Sequence, residues 1–370
     1  MQVKNNYDEC LTNLACSIRK YFNLEYHHKT LSYIDEILDK EKPRNVLLFL
    51  FDGMGSNILD RTLDKESFFI KNKFKKITTV FPATTTAATT SIITGLNPVE
   101  HGYLGWNTYI KPINQTITLY LNAKKETGEE SEEFIKASSE LFKNNSIVGD
   151  IQEKKEDSSL SLFPFPVSGS VKYDNLDDFK SKIIEELNKP ERSYIYAYND
   201  EPDHTMHLKG PDSKEARKLI KERNDFVEKL CEEISDTLVI VIADHGHIKV
   251  DNLYLKDYPR IKSMLERVTS SESRCPIFKV KDEYKNIFPE EFNKEFGEYF
   301  KLYSKEDVIS SGLYGDGNAH QIFEDALGDY IAISYSDKGL LDTGDEELYS
   351  NHAGYTDDEI YVPLIIKLKK

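Results

Sequence analysis

Four short, almost continuously apolar segments constrain the fold of this chain more than any other feature. They lack the apolar–polar alternation of a half-exposed sheet, so each is expected to be a strand covered on both faces. Amphipathic helical patterns at residues 174–188 and 212–235 lie between them. Alternating strands and helices predict an α/β fold with a mostly parallel sheet and helices on both faces. The four segments are residues 45–51, 193–198, 237–242 and 360–366.

Two features modify this simple α/β pattern. Pro363 lies inside the last apolar segment, and proline in a strand favours an edge position or a bulge. The length of 370 residues exceeds the size at which one core usually stops growing. We therefore expect residues 1–370 to form a single catalytic domain that carries a smaller inserted, cap-like lobe. Residues from about 255 to 340, with their mixed short signals, are assigned to that lobe.

The charge of the chain limits its partners. Its formal net charge is −16, and no basic stripe offsets that charge. A field of this sign repels a long polyanion, so a nucleic acid polymer is not expected as a ligand. A small phosphorylated substrate remains compatible, because a pair of divalent cations inverts the local field.

Segments that direct a protein to a membrane or out of the cell are not recognised. Residues 1–10 do not show a basic stretch followed by an apolar run, and the longest apolar stretches are too short to span a bilayer. The four cysteines form no CxxC pair, which is typical of reduced thiols. These features favour a cytoplasmic protein without membrane association.

Carboxylates and imidazoles follow the ends of the predicted strands. Because ligands of parallel sheets bind beyond the carboxyl ends of the strands, these side chains are expected to gather at one edge. Each signal alone is weak, since Asp-Gly after a strand is usually a turn and a lone histidine is usually not a ligand. Together they match the oxygen and nitrogen ligands of zinc and related divalent metals. The candidate ligands are Asp52, Asp203, His207, Asp244, His245 and His352.

A run of small residues supplies a candidate nucleophile. The threonines Thr84, Thr85 and Thr86 open a helix-compatible segment that Gly95 is expected to end. A hydroxyl at the start of a helix lies in a positive field, which favours a bound phosphate or an alkoxide. The alternative is that the threonines and alanines only allow close helix packing. Spacing alone does not select one of the three hydroxyls.

Four motifs, in this order along the chain, resemble the nucleotide pyrophosphatase/phosphodiesterase family of the alkaline phosphatase superfamily. They are residues 80–101 (VFPATTTAATTSIITGLNPVEH), 201–211 (EPDHTMHLKGP), 243–246 and 352–354. The resemblance covers roughly residues 40–110, 190–250 and 345–370. It implies an alkaline-phosphatase-like α/β fold and a metal-dependent phosphoester hydrolase, most simply a phosphodiesterase or nucleotide pyrophosphatase.

The resemblance also assigns roles to individual residues. It places the nucleophile at Thr85 and implies a phospho-threonine intermediate that water hydrolyses. It implies two divalent metal ions, Zn²⁺ or alternatively Mn²⁺. Asn107 is the nearest match to an asparagine that binds a phosphate oxygen, although Trp106 shifts it by one position. The resemblance divides the ligands into Asp52, Asp244 and His245 for the metal at the nucleophile, and Asp203, His207 and His352 for the second metal.

Residues beside the nucleophile depart from the pattern of nucleotide-cleaving members. Many of those members have Lys before the nucleophile and Phe-Pro-Asn after it, whereas this chain has Thr84 and then Thr86-Ala87-Ala88. An aromatic residue that stacks on a base would have to come from elsewhere, such as Tyr103, Trp106 or the inserted lobe.

Two other functions remain open. A phosphomonoesterase, phosphonate hydrolase or phosphomutase has the same fold, but a monoesterase usually needs a cation for the additional phosphate charge. Lys209 and Arg274 are the candidates for that cation. The third possibility is a domain that binds metals and phosphorylated ligands without turnover.

Overall fold

A computed structural model describes residues 3–370, so Met1 and Gln2 of the N-terminal segment discussed above lie outside the described residues. Its central sheet has seven strands, and all but one of them run in the same direction. This confirms the mostly parallel α/β sheet. In spatial order the strands are Lys73–Thr78, Tyr361–Lys369, Thr237–Ile242, Asn45–Phe51, Ser193–Asn199, Ser158–Phe163 and Val171–Lys172.

The middle strands of this sheet are covered on both faces. Every residue of Asn45–Phe51, Ser193–Asn199 and Thr237–Ile242 is buried. Because successive side chains point to opposite faces, complete burial requires helices on each side. The continuous apolar character of these segments therefore reflects burial on both faces of the sheet, as the sequence predicted.

Capping residues begin the two helices that the sequence pattern predicted. Helix Leu176–Leu187 begins after Asn175, whose side chain accepts hydrogen bonds from the amides of Asp177 and Asp178. Helix Lys214–Glu233 begins after Ser213, whose hydroxyl oxygen accepts from the amide of Ala216. These bonds satisfy amides that have no acceptor inside the helix.

The strand that contains Pro363 is not an edge strand. Tyr361–Lys369 lies between two neighbours and is antiparallel to both. Pro363 lies opposite Lys76, and the register shifts between Leu364 and Ile365. The edge alternative was wrong, and the irregularity beside the proline is the form in which the sheet tolerates it.

A second sheet of seven strands is built from two separate parts of the chain. Residues 107–124 supply three strands and residues 270–334 supply four, and the two parts meet where Asn107 pairs with Ser271. The segment assigned from the sequence to an inserted lobe thus shares its sheet with residues that precede it by more than a hundred positions. In spatial order the strands are Phe300–Ser304, Tyr330–Ser334, Cys275–Phe278, Ser270–Glu272, Asn107–Ile110, Gln115–Thr118 and Ala123–Lys124.

Two small sheets and the remaining helices complete the described structure. Ile248–Lys249 pairs with Ser350–Asn351, and Asp251–Tyr254 pairs with Lys338–Leu341. No helix within residues 3–370 has the length and apolarity to cross a membrane. The other α-helices of the described residues are Leu11–Tyr21, Ser32–Glu41, Ser56–Thr62, Phe68–Asn72, Thr85–Thr94, Pro98–His101, Glu132–Leu141, Ile147–Lys154, Asp203–Lys209, Pro259–Met264, Phe288–Phe296, Lys305–Ser311, Phe323–Ala326 and Asp357–Ile360.

Candidate active site

The carboxyl ends of the three middle strands meet in one crevice. Backbone hydrogen bonds join the loops there, since Asp52 N donates to Asn199 O at 3.0 Å and Asp203 N donates to Asp52 O at 3.1 Å. Gly53 N donates to Asp244 Oδ1 at 3.0 Å. The strand-end carboxylates are therefore held by the sheet itself, as expected for an open parallel sheet.

Three candidate ligands surround the ring of His245. His245 Nε2 lies 3.4 Å from Asp52 Oδ1 and 3.5 Å from Asp244 Oδ2. Asp52, Asp203 and His245 also offer ligand atoms that lie within 4.8 Å of one another. Asp52 and His245 of this group, together with Asp244 beside the His245 ring, are the three residues that the resemblance assigned to the metal at the nucleophile.

A second group of ligand atoms includes one histidine that was not among the predicted ligands. Asp203, His207, His352 and His247 offer atoms within 4.8 Å of one another. His207 Nε2 lies 3.2 Å from Asp203 Oδ2, and His247 Nε2 lies 2.8 Å from Asp203 Oδ1. Asp203 belongs to both groups, so the two sets of ligands are adjacent.

Backbone carbonyls fix the orientation of the three predicted histidine ligands. Nδ1 of His207 donates to Ser350 O at 2.8 Å, Nδ1 of His245 to Gly246 O at 3.0 Å, and Nδ1 of His352 to Ala83 O at 3.1 Å. Because a carbonyl only accepts, Nδ1 carries a proton in each ring, which leaves Nε2 as the nitrogen that can bind a metal. This is the usual arrangement of histidines that bind metals.

Buried carboxylate oxygens without hydrogen-bond partners among the described residues also fit a metal site. Asp52 Oδ1 and Asp244 Oδ2 are buried and accept no hydrogen bond from any residue between 3 and 370. Burial, together with the charges of Asp244 and Asp203, raises the pKa of Asp52 well above its usual value. Such a group is costly in a protein unless a cation compensates it. The donor set and its unsatisfied oxygens therefore fit divalent metal ions.

Only one of the three threonine hydroxyls faces these ligands. Thr85 is the first residue of helix Thr85–Thr94, and its Oγ1 lies 3.3 Å from His245 Nε2 and 3.4 Å from Asp52 Oδ2. Thr84 Oγ1 donates to Glu272 at 2.6 Å. Thr86 Oγ1 is buried and has no hydrogen-bond partner among the residues that the structure describes. Gly95 ends the helix in the left-handed conformation, as the sequence predicted.

Asn107 lies in the second sheet, with its amide held by neighbouring strands. Its Nδ2 donates to Ser271 O at 3.4 Å, and its Oδ1 accepts from Thr118 Oγ1 at 2.8 Å. No hydrogen bond within residues 3–370 joins it to Thr85 or to the candidate ligands. Its phosphate-binding role stays a prediction.

The sequence did not predict two side chains that form hydrogen bonds at the candidate active site. The hydroxyl of Tyr198 donates to Asp52 Oδ2. Glu272 Oε1 accepts from Thr84 Oγ1 and from Trp106 N, and burial raises the pKa of Glu272 to about 7. A tyrosine at the end of a buried strand and a glutamate in a three-residue strand carry no local signal of function.

Arg274 does not supply a cation to the site. Its guanidinium is completely buried, with Nε 2.5 Å from Glu359 Oε1 and Nη2 2.9 Å from Glu359 Oε2. Its remaining donors bind the carbonyls of Ser336 and Lys338. The expectation that Arg274 could reach a phosphate was therefore wrong, because this ion pair occupies the whole side chain.

An aromatic surface lies one helical turn beyond Thr85. Tyr120 is 42% exposed, and its hydroxyl lies 2.7 Å from Thr89 Oγ1. The Trp106 ring packs against it at 5.9 Å between centroids. Trp106 was one of the aromatic residues that the sequence offered for stacking.

The fold and the crevice define an α/β protein whose carboxylates and imidazoles meet at a helix-borne threonine. The family model for type I phosphodiesterase/nucleotide pyrophosphatase matches residues 46–347, and the chain belongs to that family. Membership supports a phosphoester hydrolase and confirms the resemblance seen in the four motifs.

Solved structures agree with this fold. Murine ectonucleotide pyrophosphatase/phosphodiesterase 5, in an inactive form in complex with AMP, is 19% identical with a TM-score of 0.64, covering 86% of this chain and 87% of that chain. The human ectonucleotide pyrophosphatase/phosphodiesterase 5 is 18% identical with a TM-score of 0.64, covering 87% of each chain. No curated protein sequence matches the chain.

Proposed function

We propose that this protein is a two-metal phosphodiesterase or nucleotide pyrophosphatase that acts on a small substrate through a phospho-threonine intermediate. The observation that carries the proposal is the position of Thr85 Oγ1, within 3.4 Å of both Asp52 and His245 at the first residue of a helix. Of the three adjacent threonines, it alone approaches the candidate ligands.

Two divalent ions, Zn²⁺ in the first instance and Mn²⁺ as the alternative, would be held by the six candidate ligands. Asp52, Asp244 and His245 would hold one ion beside the nucleophile, and Asp203, His207 and His352 would hold the other. When bound, the ions would acidify the attacking hydroxyl and neutralise charge on the phosphate.

The residues of the chain account for positioning and for the covalent step. Thr85 Oγ forms a bond to phosphorus while the bond from phosphorus to the leaving oxygen breaks. The Thr86 and Ala87 amides, at the positive end of the helix, would bind the non-bridging oxygens. Water then breaks the bond between phosphorus and Thr85, which regenerates the hydroxyl.

The charges around the crevice favour a diester over a monoester. Arg274 is committed to Glu359, and Glu272, the buried acid beside Thr84, supplies no compensating cation. A phosphodiester carries one negative charge, whereas a monoester approaches two and needs a compensating cation. The surface formed by Tyr120 and Trp106 suits an apolar or aromatic leaving group, and the AMP complex of the murine structure supports a nucleotide-like ligand.

Model substrates test the proposal directly. Protein treated with a chelator and then reloaded with Zn²⁺ or Mn²⁺ is assayed with bis(p-nitrophenyl) phosphate and with p-nitrophenyl phosphate. The proposal expects metal-dependent hydrolysis with a higher kcat/KM for the diester. A higher kcat/KM for the monoester would instead assign the phosphomonoesterase class. Absence of turnover on both substrates with every metal would contradict the proposal and favour a domain that binds metals and phosphorylated ligands without turnover.

A further inference from the structure

Glu272 connects the second sheet to the start of the helix that carries Thr85. It is the last residue of strand Ser270–Glu272, and its Oε1 accepts from Thr84 Oγ1 at 2.6 Å and from Trp106 N at 2.8 Å. One carboxylate oxygen of the second sheet thus binds both the residue before the helix and the backbone at Trp106.

The hydrogen bond from Thr84 is unusual for the position of that residue. Thr84 is the N-cap of helix Thr85–Thr94, with an extended backbone at φ −140° and ψ 152°. A threonine at this position normally turns its hydroxyl oxygen toward the second or third amide of the helix. Thr84 makes no such bond, because its hydroxyl points to Glu272 instead.

Two amides at the start of the helix are left open as a result. In the part of the chain that the structure describes, the amides of Thr86 and Ala87 have no hydrogen-bond acceptor. A hydroxyl that capped them would occupy the position that a phosphate oxygen needs. Open amides at a helix start bind anions well.

We propose that Glu272 is a positioning residue that holds the Thr84 hydroxyl away from its own helix and so keeps the Thr86 and Ala87 amides free for the phosphate. This inference rests on the proposed function only in that the phosphate binds at Thr85. The hydrogen bonds that the structure gives the Glu272 side chain go to Thr84 and Trp106, and neither is Thr85 or a candidate metal ligand.

The proposal makes a prediction about pairs of substitutions that a general structural role does not. In Glu272→Ala, the released Thr84 hydroxyl caps the helix and competes with phosphate, so inorganic phosphate binds about 10- to 100-fold more weakly. Adding Thr84→Val removes the competing hydroxyl, and the double variant regains phosphate affinity. Thr84→Ser keeps a hydroxyl, so the Thr84→Ser, Glu272→Ala double variant stays weak and is the matched control.

Glu272→Gln separates hydrogen-bond acceptance from charge. The glutamine carbonyl accepts from both Thr84 Oγ1 and Trp106 N, so this variant is expected to bind phosphate within about threefold of the unchanged protein. Glu272→Met removes the acceptor with little loss of volume, and it replaces Glu272→Ala if the alanine variant does not fold.

The experiment measures inorganic phosphate affinity by calorimetry on the metal-loaded protein, with kcat and KM for bis(p-nitrophenyl) phosphate recorded in parallel. Rescue by Thr84→Val but not by Thr84→Ser supports the proposal. It is overturned if Glu272→Ala binds phosphate normally, if Thr84→Val gives no rescue, or if Glu272→Gln is as weak as Glu272→Ala. Phosphate affinity is read without turnover, so a protein inactive on the diester refutes the proposed function while this test still decides the role of Glu272.

Discussion

The hydroxyl of Tyr198 donates a hydrogen bond to Oδ2 of Asp52, the same oxygen that lies 3.4 Å from Thr85 Oγ1. Tyr198 is buried near the end of strand Ser193–Asn199, so its ring packs in the sheet while its hydroxyl reaches the candidate metal site. Partners of this kind orient a carboxylate that binds a metal.

Tyr198→Phe is expected to lower metal affinity at this site about 10- to 100-fold while leaving the fold intact. The ring and its packing remain, and only the donor to Asp52 is lost. Zinc affinity measured by competition with a chromogenic chelator checks the effect.

Tyr196→Phe is the matched control for Tyr198→Phe. Tyr196 lies two residues earlier on the same face of the strand, and its buried hydroxyl has no hydrogen-bond partner within the described part of the chain. It should leave zinc affinity unchanged. Equal affinities in the two variants would show that the hydroxyl of Tyr198 does not support the site.

Thr85→Ala is expected to reduce kcat by about ten-thousand-fold or more and to retain both metals, because the nucleophile is lost while the six candidate ligands remain. Elemental analysis counts the metals. Intact-mass analysis during turnover of bis(p-nitrophenyl) phosphate should detect a p-nitrophenyl phosphoryl adduct on the protein that retains Thr85, and no adduct on Thr85→Ala.

Thr86→Ala is the control for the threonine run. The Thr86 hydroxyl is buried and has no hydrogen-bond partner in residues 3–370, so the variant should keep kcat within about threefold. Thr84→Ala also keeps most activity, since it removes a hydroxyl that does not reach the candidate ligands. Turnover by Thr85→Ala close to that of the unchanged protein would rule out Thr85 as nucleophile.

The parts of the fold that the sequence predicted are those with local causes. Continuous apolar residues in 45–51 and 237–242 indicate burial on both faces, and the carboxyl ends of parallel strands necessarily meet. Asp52 and Asp244 could therefore be placed together without a structure. The end of helix Thr85–Thr94 at Gly95 could also be predicted, because a glycine readily adopts the left-handed conformation that ends a helix.

The second sheet could not be predicted because its causes are not local. The pairing of Asn107 with Ser271 joins short strands that are far apart in the chain, and Ser270–Glu272 is too short to show a period. The contacts of Glu272 depend on this pairing. Likewise, Arg274 is kept from the candidate active site by its ion pair with Glu359, which lies 85 residues further along the chain.

His247 is expected to support the second group of ligands. Its Nε2 donates to Asp203 Oδ1 at 2.8 Å, and its Nδ1 accepts from the hydroxyl of Ser350. Ser350 O also accepts from Nδ1 of His207, so one residue orients two rings. His247→Met should therefore weaken one of two bound metals about 10- to 100-fold.

Metal titration of the stripped protein distinguishes the two sites, because only one of two binding steps should change in His247→Met. His204→Gln serves as the control, since His204 is exposed on helix Asp203–Lys209, next to Asp203. Two unchanged binding steps in His247→Met would contradict the assigned role.

His101 is expected to make the protein sensitive to acid independently of the metals. The ring is completely buried, its Nδ1 accepts from Tyr103 N at 3.1 Å, and its Nε2 lies 3.0 Å from Ser91 Oγ. Burial, with a smaller contribution from His320, lowers the pKa of His101 to about 3. The native state therefore keeps this ring neutral, whereas the unfolded state protonates it below about pH 6.5.

Stability from a group with a lowered native pKa is present above the unfolded pKa and is lost as the pH falls toward the native pKa. For His101 this window runs from about pH 6.5 down to about pH 3. Between pH 7 and pH 5 the expected loss in the free energy of unfolding is ~2 kcal/mol. His101→Gln cannot titrate, so its stability should fall by about that much less over the same interval.

Urea unfolding at both pH values, at one fixed metal concentration, gives the difference, and the exposed His27→Gln variant should behave as the unchanged protein does. If His101→Gln and the unchanged protein lose the same free energy of unfolding between pH 7 and pH 5, the buried ring is not the acid-sensitive group.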